Sequence, residues 1–126
     1  MITLSKEQVK KLHQMQIAAT GGSDGLRDEG LLESALHSAF QTFEGDDLYP
    51  TAIAKIARIA YNLTANHPFV DGNKRIGTYV MLVLLELNQI PIDFSDDDII
   101  RIGLDVANGK MDDSALLNFL LDKMDD

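Results

Sequence analysis

The chain is predicted to be all-α, a single-domain bundle over residues 1–126 with about six helices arranged around one central buried helix. Three observations predict this. Apolar residues recur at intervals of three and four in successive stretches, the spacing of one face of a helix. Those stretches begin and end on helix start and stop residues, including two capping boxes, Ser5 with Gln8 and Ser95 with Asp98. No alternating apolar–polar run of useful length competes, and there is no repeat or low-complexity segment.

In order, the first helix runs from Ser5 to Ala19, with Val9, Leu12 and Ala19 at helical spacing, His13 facing solvent, and Gly21-Gly22 as the stop. Residues 20–30 are a turn-rich connection in which the paired glycines read as backbone turns, because no Lys-Ser/Thr follows as a phosphate-binding P-loop requires. Asp28 caps the second helix, whose stripe is Leu32, Leu36, Ala39, Phe40 and Phe43; His37 lies on it as an ordinary helix residue without a partner ligand. Gln41 to Pro50 breaks the pattern as a loop or short hairpin, with Glu44-Gly45-Asp46-Asp47 at its middle. Thr51 caps the third helix, through Ala65, with Ile53, Ile56, Ala57, Ala60 and Leu63 inward and Lys55 and Arg58 at the surface. Ile76 to Asn88 is apolar nearly all round, the mark of a helix surrounded by others, and Gly77 allows a neighbour to pack closely. Ser95 starts the fifth helix, with Ile99, Ile102 and Val106, which ends at Asn108-Gly109. Asp112 starts the sixth, with Leu116, Leu117, Leu120, Leu121 and Met124 as its apolar side.

Composition narrows the function. One domain of this length buries roughly two-thirds of the surface its unfolded chain exposes, so no staple is needed. The absence of Cys excludes disulfides, thiolate metal sites and a Cys nucleophile, and fits a cytoplasmic location. Met1 to Lys6 does not read as a signal peptide, and the longest apolar stretch, Ile76 to Leu87, is too short for the ~20 residues of a membrane span. Asn62-Leu63-Thr64 matches a glycosylation acceptor by chance. The net charge is −9, and residues 93–126 hold ten of the twenty acids against Arg101, Lys110 and Lys123. Nucleic acid is therefore not an expected partner, since phosphate binding needs clustered bases. The acidic region reads as a solvated face or as a patch that steers a basic partner.

Chemistry concentrates in His67-Pro68-Phe69-Val70-Asp71-Gly72-Asn73-Lys74-Arg75. A helix that begins at Gly72 or Asn73 leaves its first N–H groups unpaired and turns the positive end of its dipole toward the loop, an arrangement that favours phosphate. Gly72 lets the backbone approach an anion, while Lys74 and Arg75 add a point charge and a planar fork. A His side chain, with an unperturbed pKa of about 6.5, exchanges a proton near neutral pH, which makes His67 a candidate base. Asp71 is a candidate metal carboxylate. Singly each has an ordinary reading, Asp71 as a cap and the cations as a solvated first turn; together beside a Gly at a helix start they put a base, a phosphate cradle and a possible metal carboxylate on one loop.

This stretch resembles the Fic/Doc signature, in which a His, a Phe two residues on, an acid two further and then Gly-Asn form a catalytic loop before a helix. The AMP-transferring Fic branch continues with Gly-Arg and a second Arg three positions later, where this chain has Lys74, Arg75 and Thr78. Asn73-Lys74-Arg75 without the second Arg is similar to the Doc (death on curing) branch, the toxin half of toxin–antitoxin pairs. Gly21-Gly22, Arg27-Asp28 and Gly30 to Ala35 support the resemblance more faintly.

The resemblance implies a helical Fic fold with a flap between the second and third helices that holds the target segment. It implies an enzyme that uses ATP and Mg2+ to move the γ-phosphate to a hydroxyl of a target protein, for which elongation factor Tu is one candidate. His67, Asp71, Lys74 and Arg75 would be catalytic, Gly72, Asn73, Lys74 and Arg75 would bind nucleotide, and Asp71 would hold the metal. AMP transfer is the alternative within the fold, and a catalytically silent binding protein the alternative outside it. An inhibitory helix of the kind some Fic proteins carry is not expected, since Thr3 and Glu7 have its spacing but Gln8 follows. Restraint is expected instead from a small antitoxin of the prevent-host-death type with a partly basic, disordered tail.

Overall fold

A computed structural model describes residues 1–125. Six helices follow in order: α1 (Lys6–Thr20), α2 (Glu29–His37), α3 (Ala52–Ala65), α4 (Asn73–Leu87), α5 (Asp96–Ala107) and α6 (Asp113–Asp125). Between α2 and α3 lie a 3-10 turn, Ser38–Phe40, and a minimal antiparallel hairpin, β1 (Thr42–Phe43) and β2 (Asp46–Asp47), in which Thr42 pairs with Asp47 and Phe43 with Asp46. The architecture is the all-α, six-helix bundle expected from the sequence, with the hairpin between α2 and α3 where the flap was expected.

Local chemistry sets the helix ends. Ser5 accepts from the Gln8 amide while Gln8 accepts from that of Ser5, and Ser95 and Asp98 repeat the exchange, so both capping boxes form. Asp28, Thr51 and Asp112 cap α2, α3 and α6 through the amides of Leu31, Ala54 and Ala115. Each such cap contributes on the order of 1 kcal/mol.

The core is built on the α3–α4 pair. Helix α3 packs against α2, α4, α5 and α6 and buries Ile56, Ile59 and Leu63 completely. Helix α4 packs on α1, α3 and α5, burying Ile76, Val80, Met81, Leu84 and Leu85, but it is not enclosed all round: Tyr79 and Leu87 reach solvent. The two helices approach closely because Gly77 faces Ala60 and Thr64 without a Cβ between them. Asn62 and Thr64 are buried here, and the Asn62 amide donates to the Ala35 carbonyl and the Ser38 hydroxyl, which removes the glycosylation match from reach.

Several sequence expectations are corrected. The inward stripe of α1 is Val9, His13 and Ile17 at strict i, i+4 spacing, so His13 is buried and Ala19 exposed. Phe40 and Phe43 do not continue the α2 stripe, because the helix ends at His37 and the chain turns into the hairpin with both rings substantially exposed. On α6, Leu116 and Leu120 are buried but Leu121 and Met124 are exposed, since the helix packs chiefly against α3.

Lys55 and Arg58 are not simple surface residues. The Lys55 ammonium is almost fully covered; it donates to the Tyr49 carbonyl, pairs with Asp47 at 3.2 Å and lies over the Phe40 ring. Arg58 sits half-buried between the Tyr49 and Tyr61 rings and pairs with Asp113 at 3.2 Å. Both cations thus tie the base of the hairpin to α3; Lys55 has partners that compensate for its lost hydration, whereas the buried Nε of Arg58 has no hydrogen-bond partner among the described residues.

Candidate active site

The loop between α3 and α4 is held by side chains from three other parts of the chain. Arg27 donates through Nε to the His67 carbonyl at 2.6 Å and through Nη2 to that of Asn66 at 2.9 Å. The Pro68 carbonyl accepts from the Arg27 and Asp28 amides, Val70 N–H donates to the Gly25 carbonyl, and Leu26 bridges Phe69 in antiparallel fashion. The buried Asn73 amide closes on both sides of Phe69, accepting from its N–H at 2.9 Å and donating to its carbonyl at 3.0 Å. Beneath the loop the His13 ring stacks on Phe69, centroids 3.9 Å apart and 10° from parallel.

This scaffold holds the backbone and leaves the His67 and Asp71 side chains exposed. His67 has a left-handed backbone, φ 50°, and an exposed imidazole that engages no other group among the described residues. Asp71 accepts through Oδ1 from the Gly72 amide at 2.8 Å and through Oδ2 from the Ser23 amide at 3.1 Å. These bonds, the Ser23 one first and the Gly72 one next, hold its carboxyl below the usual carboxylate range against desolvation, with lesser contributions from Arg75 and His13. It is therefore an anion at neutral pH.

Gly72 is the N-cap of α4 in the left-handed conformation, φ 78°, and caps with no side chain. The amides of Asn73, Lys74 and Arg75 follow it as the unpaired first turn of a 15-residue helix. Lys74 is exposed beside them. Arg75 is turned back: its guanidinium donates to the Thr20 hydroxyl and, through both terminal nitrogens, to the Gly21 carbonyl at 3.1 Å. His67, Val70, Asp71, Gly72, Asn73, Lys74 and Arg75 together line an open cleft of about 540 Å³.

All the expected site residues therefore converge on one cleft, with a division of labour that sequence did not reveal. The Asn73 side chain is committed to the loop, so only its backbone N–H faces an anion. The α1–α2 connection, expected to be mere turns, forms a wall of the site through Gly21 and Ser23. The signal that reveals His13 is its place on the Val9–Ile17 stripe. Nothing in the spacing pointed to Arg27 or Ser23, because their partners are distant backbone atoms.

The unpaired first-turn amides of α4 and the Lys74 ammonium are donors of the kind that hold phosphate, and Asp71 is the carboxylate beside them. Among the described residues no group of three or more His, Cys, Asp or Glu converges on one point. A cation at the ionised Asp71 would complete its shell with phosphate oxygens and water, the mode Mg2+ prefers. No helix among the described residues is long and apolar enough to cross a membrane.

Gly22 provides a test of this wall. At φ 113°, a Cβ there would stand 2.6 Å from Asp71 Oδ2 and 3.0 Å from Arg75 Nη2. Gly22→Ala is expected to displace the carboxylate and to lower activity about 100-fold, the cost of misplacing a reacting group by about 1 Å. Kinetics beside a melting curve check it; unchanged turnover means the wall does not position Asp71.

Comparison with known proteins agrees with this geometry. The model of the Fic/DOC family matches residues 3–85. A protein named Toxin Doc from Mycolicibacterium smegmatis (strain ATCC 700084 / mc(2)155) is 38% identical over 81 residues, a stretch covering 63% of this chain and 62% of that protein.

Proposed function

The chain belongs to the Fic/DOC family, and from that membership we propose that it is the toxin of a toxin–antitoxin pair that transfers the γ-phosphate of ATP to a hydroxyl of a target protein. The observation that carries the reading is the exposed, unengaged His67 imidazole on the rim of a cleft that also holds an ionised carboxylate and an unpaired helix N-terminus. In this reaction the hydroxyl oxygen attacks the γ-phosphorus, the bond to the β–γ bridging oxygen breaks, ADP leaves, and the hydroxyl proton passes to His67. The free amides of α4 and the Lys74 ammonium stabilise charge on the phosphates, and Gly72 admits them close to the backbone. Arg75, held by Thr20 and Gly21, presents a fixed positive charge at the cleft. Asp71 would hold Mg2+, which neutralises phosphate charge when bound.

The hairpin supplies the docking element, with Phe43 and Leu48 exposed on it and Lys55 fixing its base. Thr78 occupies the place of the second Arg of the AMP-transferring branch, and its hydroxyl is spent on the Lys74 carbonyl at 3.0 Å. A clamp for a second polyphosphate orientation is therefore missing, which favours phosphate over AMP transfer. An antitoxin partner is supported by the similarity to a protein named Toxin Doc, and elongation factor Tu is a candidate target.

The test is incubation with Mg2+, a cell lysate and ATP labelled at the α or the γ phosphate. Label from γ alone on a protein band is expected; label from α on that band replaces this reading with AMP transfer. Expression alone should arrest growth, and co-expression of a small antitoxin encoded beside the gene should relieve the arrest.

A further inference from the structure

One buried group at the site has no part in that reaction. His13 is 1% exposed, comes from α1 rather than from the catalytic loop, and places Nε2 2.7 Å from the Asp71 carbonyl oxygen. A carbonyl only accepts, so this nitrogen carries the proton and donates. The other ring nitrogen lies 3.8 Å from Asp24 Oδ1, beyond hydrogen-bond range. A core histidine that only filled space would need no bond to the one loop peptide that leads into the helix.

We propose that His13 is a positioning residue that latches the Asp71–Gly72 peptide in the orientation the transfer reaction needs. The peptide unit is planar and trans, so its C=O and N–H point in opposite directions. While His13 holds the carbonyl inward, the Gly72 N–H is forced outward to the site, where it donates to Asp71 Oδ1 at 2.8 Å. The carboxylate is thereby fixed in the position that Ser23 N–H also reaches. Without the latch the peptide is free to flip, because φ at a glycine is permitted with either sign and Gly72 has no side-chain cap to resist. The flipped peptide turns a carbonyl toward the cleft, repelling phosphate and releasing Asp71 from one of its two amide donors. The Phe69 stack sets the height of the His13 ring, and the Asn73 clamp sets Phe69, so the latch is anchored on both sides.

The catalytic part of this inference rests on the transferase reading; the conformational part does not. His13→Phe keeps an aromatic ring on Phe69 and removes the donor, His13→Gln restores an N–H donor, and His13→Ala removes ring and donor. In His13→Phe the amide–Hα couplings of Gly72, which report φ, should change, and kcat should fall tenfold or more with KM for the protein target unchanged. His13→Gln should recover most of both. Unchanged couplings or unchanged kcat in His13→Phe overturns the latch. Should that variant not fold, equal kcat for the Gln and Ala variants at equal melting temperature overturns it instead. Should the wild type transfer neither label, the transferase reading fails and the Gly72 couplings still decide whether His13 holds the peptide.

Discussion

His67→Ala is expected to lose transfer by two or more orders of magnitude and to keep the wild-type fold. The loss follows from chemistry, since a neutral hydroxyl is a weak nucleophile until a base takes its proton, and removing such a base costs about 10²–10⁴ in rate. The intact fold follows from structure: the imidazole is exposed and engages no neighbour among the described residues, so there is little packing to forfeit. What holds the loop at this position is the His67 carbonyl bound by Arg27, which any residue supplies. The left-handed backbone adds one complication, because Ala is less at ease than His at φ 50°. His67→Asn resolves it, since Asn adopts this conformation readily and offers no comparable base. Both variants should be equally inactive, with the Asn variant melting as wild type does; full transfer by either one ends the assignment of His67 as the base.

The largest effect on stability is expected from Gly77→Leu, at about 3 kcal/mol or more, the upper range for overpacking a tight interface. Even a Cβ at residue 77 would overlap Thr64 Oγ1 and stand 3.1 Å from the Ala60 carbonyl, and a backbone atom cannot step aside as a side chain does. The α3–α4 pair must then separate along the seam on which the rest of the core is laid. Gly77→Ala gives the sharper test. Helix propensity alone says that Ala should stabilise an interior helix position by ~1 kcal/mol relative to Gly. The contact with Thr64 says the sign reverses, and denaturant unfolding reads which effect wins. Removing the Thr64 hydroxyl in the same chain should recover part of the loss but not all, because the Ala60 carbonyl stays. A neutral Gly77→Leu would mean that the α3–α4 contact is looser than described.

Most of the fold was legible because its signals are local. Ser5 with Gln8, Ser95 with Asp98, Asp28, Thr51 and Asp112 each find their partners within three residues, so the chain itself states where helices begin. Likewise His67, Asp71 and the first turn of α4 lie within nine consecutive residues, and one loop entering one helix brings them to a common cleft without any distant contact.

Where the sequence reading failed, the partner lay elsewhere in the chain. Lys55 and Arg58 look like solvated cations until the hairpin folds back and supplies Asp47 with the carbonyl and ring of Tyr49, and α6 supplies Asp113. His13 looks like a surface residue until α1 is laid under the α3–α4 loop 58 residues away and its ring meets Phe69 and the Asp71 carbonyl. The sequence by itself determined the helices, their caps and which candidate residues share one loop and helix start, because hydrogen bonds over three or four residues and the 3.6-residue period act within one segment. Only the tertiary structure decided how those groups are held. Arg27, Ser23, Asn73 and His13 act on main-chain atoms, and a peptide carbonyl or amide is the same at every position, so no residue pattern marks the one a distant side chain will bind.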